Sequence, residues 1–144
     1  MRIEIPQFSL VAMVGASSSG KTTFANKYFR PTEVLSSDFF RGMISDDESS
    51  QEVSKEAFEL LLMTAEKRLE LMKLTVIDAT NLQKNSRKQI IDLAHRQNVH
   101  AVAIVLDLPE SIIKERNMNR ENRKLRERVI KNHIMELHRS IRNL

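Results

Sequence analysis

Phe8-Ser9-Leu10-Val11-Ala12-Met13-Val14 runs directly into Gly15-Ala16-Ser17-Ser18-Ser19-Gly20-Lys21-Thr22. The first part is a short, nearly continuous apolar run, which predicts a buried strand. The second part fits G-x-x-x-x-G-K-[ST] at every position, a loop whose backbone cradles phosphate. The two glycines permit a tight turn, so that successive backbone N–H groups face phosphate oxygens. The helix that begins here adds the positive end of its dipole. The cradle runs over Gly15, Ser17, Ser18, Ser19, Gly20, Lys21, Thr22 and Thr23. Lys21 is placed to bridge the β and γ phosphates, and the Thr22 hydroxyl to ligate Mg²⁺ directly. The cofactors implied are ATP, or another nucleoside triphosphate, and Mg²⁺.

Glycine usage singles out the same stretch. The 144-residue chain has three glycines, Gly15, Gly20 and Gly42, where ordinary usage gives about ten. Gly42 is expected to leave room for an incoming substrate end. There is no cysteine, which excludes disulfides, thiolate metal sites and a cysteine nucleophile. No apolar run reaches the length of a membrane span and no signal-peptide core opens the chain, so a cytoplasmic protein without a membrane partner is expected. The net charge of +4 is uneven: residues 110–144 carry +5 and residues 1–109 carry −1. That surplus suits a polyanionic partner, although a solvated, salt-bridged helix face would look the same.

Outward from the loop, apolar runs alternate with helical patterns. Helices are expected at Ser19–Arg30, Val53–Lys73, Arg87–Arg96, Glu110–Asn119 and Lys124–Asn143. Strands are expected at Glu33–Ser37, Leu74–Ile77 and His100–Leu106. In Val53–Lys73 the apolar face is read as Ala57, Leu60, Leu61, Leu69 and Met72. Ser86 with Gln89 reads as a capping box opening the helix at Arg87. In the last helix Leu125, Val129, Leu137, Ile141 and Leu144 recur roughly by sevens as an apolar stripe. The alternation predicts an α/β fold: a parallel four-stranded sheet with helices on both faces. Ligands in such folds bind at the carboxyl ends of the strands, where Gly15, Asp38, Asp78 and Asp107 are expected.

Loops of this kind serve GTPases, ATPases and kinases. The N-K-x-D or T-K-x-D base-reading motif of GTPases is missing; the fourth strand runs into Leu106-Asp107-Leu108-Pro109 instead. A kinase needs a group that orients or deprotonates the accepting hydroxyl. Asp38, in Ser36-Ser37-Asp38-Phe39-Phe40-Arg41-Gly42, is the candidate, with Arg41 on the same side of a helical turn. The competing reading is an N-cap Asp with a surface Arg. Asp78, opening Asp78-Ala79-Thr80-Asn81, suits the Mg²⁺ shell through water, or a turn at a strand end; Asn81 and Arg87 are candidates for setting that loop. Arg116, Arg120 and Arg123 surround the junction of the last two helices, where arginines on a closing segment would reach the β and γ phosphates. A solvated basic face is the alternative. The four histidines show no ligand spacing and read as core or surface residues.

Four segments together resemble the N-terminal kinase module of bacterial polynucleotide kinase-phosphatase, an RNA end-healing and repair enzyme: IPQFSLVAMVGASSSGKTTFANKYF (5–29), PTEVLSSDFFRGMISDDE (31–48), KLTVIDATN (73–81) and LPESIIKERNMNR (108–120). The phage polynucleotide kinase group is a more distant likeness. The resemblance covers the chain as one P-loop polynucleotide kinase domain, 1–144, and implies the P-loop kinase fold, with sheet order 2-3-1-4 and a helical lid around 110–144. It implies ATP-dependent phosphorylation of a 5′-hydroxyl RNA or DNA end. It casts Lys21 and Thr22 as phosphate and metal residues, Asp38 as general base, Arg41 as the residue that engages the substrate phosphate or orients that base, and Arg116 and Arg123 as lid arginines. Full-length members continue into phosphatase and ligase-like domains, and kinase modules of this kind carry a further stretch after the last helix. The rival expectations are a kinase of a small-molecule alcohol and a non-catalytic, nucleotide-dependent RNA-binding module.

Overall fold

In the computed structural model, which describes residues 2–120 and 125–142, four strands form one parallel sheet: β1 (Ser9–Val14), β2 (Val34–Ser36), β3 (Thr75–Asp78) and β4 (His100–Val105). Their order is β2-β3-β1-β4, as the resemblance to P-loop kinases implies. Val11 sits opposite Val76 on one side and Val102 on the other. All six residues of β1 are buried, because this central strand is covered on both faces and flanked on both edges. β4 lies at the sheet edge and is only partly covered.

Period-two alternation assigns the two faces. Leu10 and Ala12 pack with Leu61, Ala65 and Leu69 of α3 (Ser54–Glu70) and with Ile90, Leu93 and Ala94 of α4 (Lys84–Arg96). Val11 and Met13 point the other way, toward Phe24 of α1 (Lys21–Tyr28) and toward Phe29. Val14 meets Leu82 and Leu137 of α6 (Glu127–Ile141). Ala16, just past β1, is buried among Ile113 of α5 (Glu110–Met118), Ile130 and Ile134. The C-terminal helices are thus anchored directly on the start of the glycine loop.

Several boundaries differ from expectation for identifiable reasons. The first helix begins at Lys21, not Ser19, because Ser18 and Gly20 adopt left-handed backbone (φ 68° and 93°), which no helix accommodates. Asp38 lies in the first turn of α2 (Ser37–Ser45), just beyond β2, and the N-cap is Ser36, whose Oγ accepts the Phe39 N–H at 3.4 Å. The Ser86 capping box does not form. The helix starts at Lys84, since Arg87 donates to the Leu82 and Asn81 carbonyls at 2.7 and 3.2 Å and fixes the chain upstream.

In α3, Leu60 and Met72 are exposed and Ala65 is buried instead; Met72 has left the helix with φ 58°. Of the apolar stripe expected in the last helix Leu137 is buried, and Ile130 and Ile134 take the buried positions before it in place of Val129. Ile141 is exposed, and Leu144 lies outside the described residues.

Candidate functional site

The carboxyl ends of β1, β2 and β3 open onto a cleft of about 1220 Å³ whose lining includes Lys21, Thr22, Asp38, Arg41, Asp78 and Arg116. The glycine loop forms its floor. A Cβ on Gly15 would stand 2.7 Å from Ser19 Oγ and 3.1 Å from the Leu106 carbonyl, so a side chain there would press on the loop and on the chain just past β4. At Gly20 the obstacle is conformation (φ 93°), and Arg116 Nη1 lies 3.2 Å from the place a Cβ would take. The Gly15 N–H donates to the Thr80 carbonyl at 3.1 Å. Buried Asn81, itself at φ 51°, donates through Nδ2 to the Met13 carbonyl at 2.7 Å. The loops after β1 and β3 are thereby stapled together. Arg87 holds the far side of that staple and reaches Ser140 Oγ at 2.9 Å, while Ser140 Oγ donates to the Leu82 carbonyl at 3.0 Å.

Lys21 is buried, and its ammonium donates to the Ala16 carbonyl at 2.8 Å. Desolvation lowers its pKa from 10.5 to about 8, against the attraction of Asp78 and Asp38 and with a smaller push from Arg120. A cation stripped of water and held beside an anion cradle gains strongly when a phosphate arrives. Thr22 Oγ1 donates to Asp78 Oδ2 at 2.7 Å. The two form a pair of hard oxygens at the loop's end. Among the described residues no group of three or more His, Cys, Asp or Glu could hold a metal alone. This donor set fits Mg²⁺, which takes one or two protein oxygens and completes its shell with water and phosphate.

Asp38 and Arg41 meet across one turn of α2 as an ion pair between Asp38 Oδ1 and Arg41 Nη2. Arg41 Nε is also held by the Glu48 carbonyl at 2.8 Å, so the guanidinium is fixed from two sides and the carboxylate faces the cleft. The space beside Gly42 is filled by Glu48, whose Cγ would lie 2.9 Å from a Cβ there. That glycine therefore serves the packing of the loop carrying Glu48, in place of the substrate clearance expected from the sequence. Asp107 falls away from the site: it is exposed and pairs with His138 at 3.6 Å.

The C-terminal helices close the opposite wall. Arg116 reaches the Gly20 turn from α5. Arg120, just past α5, donates to Ser17 Oγ at 2.7 Å and Ser18 Oγ at 3.1 Å. Arg123 lies outside the described residues. Sequence reasoning missed His133, whose Nδ1 accepts the Ser17 N–H at 3.2 Å from 116 positions away; no local pattern marks such a contact. Ser17, Ser18, Ser19 and Thr23 all line the cleft.

The cleft thus brings together the glycine loop, a desolvated lysine, a hydroxyl–carboxylate pair and a second carboxylate clamped by arginine. The chain belongs to the AAA domain family, whose model matches residues 10–144, and it has the P-loop kinase fold. No curated protein sequence matches it. A structure of the Pnkp1/Rnl/Hen1 RNA repair complex superposes with a TM-score of 0.80 at 22% identity, over 94% of this chain and 46% of that one. The APS kinase CysC of Mycobacterium tuberculosis, in complex with AMPPNP and APS, gives 0.62 at 20% identity over 80% and 71%. A gluconokinase from Sinorhizobium meliloti gives 0.58 at 16% identity over 90% and 75%. The chain spans about half the length of the RNA-repair chains it matches. Among the described residues no helix is long and apolar enough to cross a membrane.

Proposed function

We propose that this chain is a polynucleotide 5′-hydroxyl kinase, transferring the γ-phosphate of ATP to a 5′-OH RNA or DNA end. The observation that carries the reading is the Asp38–Arg41 pair, held rigid by Glu48 and facing the same cleft as Lys21. In this reading residues 1–144 act as one kinase domain with 110–144 as its lid. Asp38 accepts the proton of the 5′-hydroxyl as its oxygen attacks in line. Arg41 orients that carboxylate and meets the first phosphate of the acceptor strand. Backbone N–H groups from Ser18 to Thr23 hold the donor phosphates, and Lys21 leaves the Ala16 carbonyl to bridge β and γ. Thr22 directly, and Asp78 through water, would hold Mg²⁺, which supplies charge neutralisation on those phosphates. Arg116, Arg120 and Arg123 gather charge around the transferring group. The basic surplus of residues 110–144 and the fold shared with the RNA repair complex support a polynucleotide acceptor; phosphatase and ligase-like partner domains belong to the same proposal.

A small-molecule alcohol acceptor is favoured by one observation. Beyond Asp38 the cleft is lined by Glu48, Ser49, Gln51 and Ser54, with Arg41 as the cation on that side. The deciding assay follows radiolabel from γ-labelled ATP into 5′-OH RNA, 5′-OH DNA and polar small alcohols in parallel. Label in an oligonucleotide, lost in Asp38→Ala while ATP still binds, supports the proposal. Label confined to small alcohols, or RNA binding without turnover, overturns it.

A further inference from the structure

One peptide unit of the phosphate loop is gripped at both ends. The Ala16 carbonyl accepts Lys21 Nζ at 2.8 Å and the Ser19 N–H at 3.1 Å. The N–H of the same unit, on Ser17, donates to His133 Nδ1 at 3.2 Å. Ile130 and Ile134 flank His133 on α6 and are buried against Ala16, so the imidazole is delivered by a packed helix and not by a swinging loop. Arg120 holds the Ser17 hydroxyl from the other side.

The geometry points to His133 as a positioning residue for the phosphate loop. Its Nδ1 fixes the plane of the Ala16–Ser17 peptide, and with it the carbonyl that parks Lys21 until a phosphate takes the ammonium. This inference rests on the reading that the loop binds nucleotide phosphates. The bond requires the tautomer with a bare Nδ1 and a proton on Nε2. Burial, and then the charge of Lys21, lower the pKa of His133 from its ordinary 6.5, so the accepting form prevails at neutral pH. The charged group acting on it is Lys21 from α1, while Arg120 beyond α5 is held on the Ser17 and Ser18 hydroxyls; on α6 itself Glu136 pairs with Arg139 and His138 turns to Asp107. Protonation removes the acceptor and sets a second cation beside Lys21.

The test compares the full chain with His133→Ala and His133→Asn, whose amide oxygen restores an acceptor. Affinity for ATP with Mg²⁺ is measured by calorimetry near neutral pH, and the Ser17 amide proton is followed by NMR as pH is lowered. His133→Ala is expected to weaken ATP binding about fivefold, as for one lost backbone hydrogen bond, and His133→Asn to stay within about twofold of wild type. In wild type the Ser17 amide resonance moves upfield through a transition below pH 6.5 that is missing in His133→Asn. Unchanged affinity in His133→Ala, no recovery in His133→Asn, or a Ser17 resonance that ignores the imidazole titration overturns the role of His133. A wild-type chain that binds no ATP overturns the phosphate-loop reading itself. Should His133→Ala fail to fold, His133→Asn and the wild-type titration still decide.

Discussion

The two walls of the cleft are built on opposite plans. The floor and near wall, β1 through α1, come from one continuous stretch in which a buried strand runs straight into the glycine loop. The far wall, α5 and α6, brings side chains to the same loop from more than a hundred residues away: Arg120 on Ser17 and His133 on the Ser17 amide. A cradle made of backbone is specified by the few residues that permit its shape. A cover made of side chains is specified by whatever packs the helices that carry them, here Ile113, Ile130 and Ile134 around Ala16.

The largest effect should come from a residue on neither wall. Asp38→Ala is expected to reduce phosphoryl transfer by about 10³-fold, the scale of a lost general base, while ATP affinity stays within about twofold in a binding titration. Equal losses in binding and transfer would place Asp38 with the floor instead.

Lys21→Met tests the floor. Transfer should fall by about 10²-fold, as for a removed charge-stabilising donor. Thermal stability at neutral pH should rise, because a desolvated cation is replaced by an apolar chain of similar length. The sign of the pH dependence follows from the same burial. In the free protein Lys21 loses its proton around pH 8, and a bound phosphate favours the charged form. Nucleotide affinity is therefore expected to fall as pH rises through about 8, with a proton taken up on binding. Calorimetry in buffers of different ionisation enthalpy measures that proton, and Lys21→Met should abolish its uptake.

The far wall should answer more weakly. Arg120→Ala is expected to cost about tenfold in ATP affinity, the scale of a lost charge-assisted contact, checked by the same titration. A loss as large as that of Lys21→Met would erase the contrast between the walls. Smallest of all, Ser140→Ala removes the buried hydroxyl between Arg87 and Leu82. It should lower stability by about 1 kcal/mol in chemical denaturation and leave transfer unchanged, separating the end of α6 that holds the fold from the end that touches the loop.

The sheet and the floor of the site were legible because their signals are local. A buried strand feeding a glycine-constrained turn leaves one solution, and the regular return of apolar runs after helical segments leaves a parallel sheet. Details that depend on partners elsewhere in the chain were not legible. The start of α4 is set by Arg87 reaching back to Leu82, not by Ser86. The buried face of α6 is Ile130, Ile134 and Leu137, one position round the helix from Val129, because Ala16 and Ile113 lie beneath Ile130 and Ile134. Gly42 looked like clearance for a ligand and proved to be clearance for Glu48.

What the sequence determined by itself was the phosphate-loop pattern, the alternation of strands with helices and the presence of an acid three residues before an arginine, since steric permission, burial periodicity and helical spacing are properties of neighbouring residues. What only the tertiary structure decided was which distant side chains reach the cradle. His133, one of four histidines with no pattern to mark it, gains its place because α6 packs on Ala16. Asp107, at a strand end like Asp78, loses its place because the chain turns it to solvent and His138. Sequence spacing carries no information about a contact made across the sheet, and packing does.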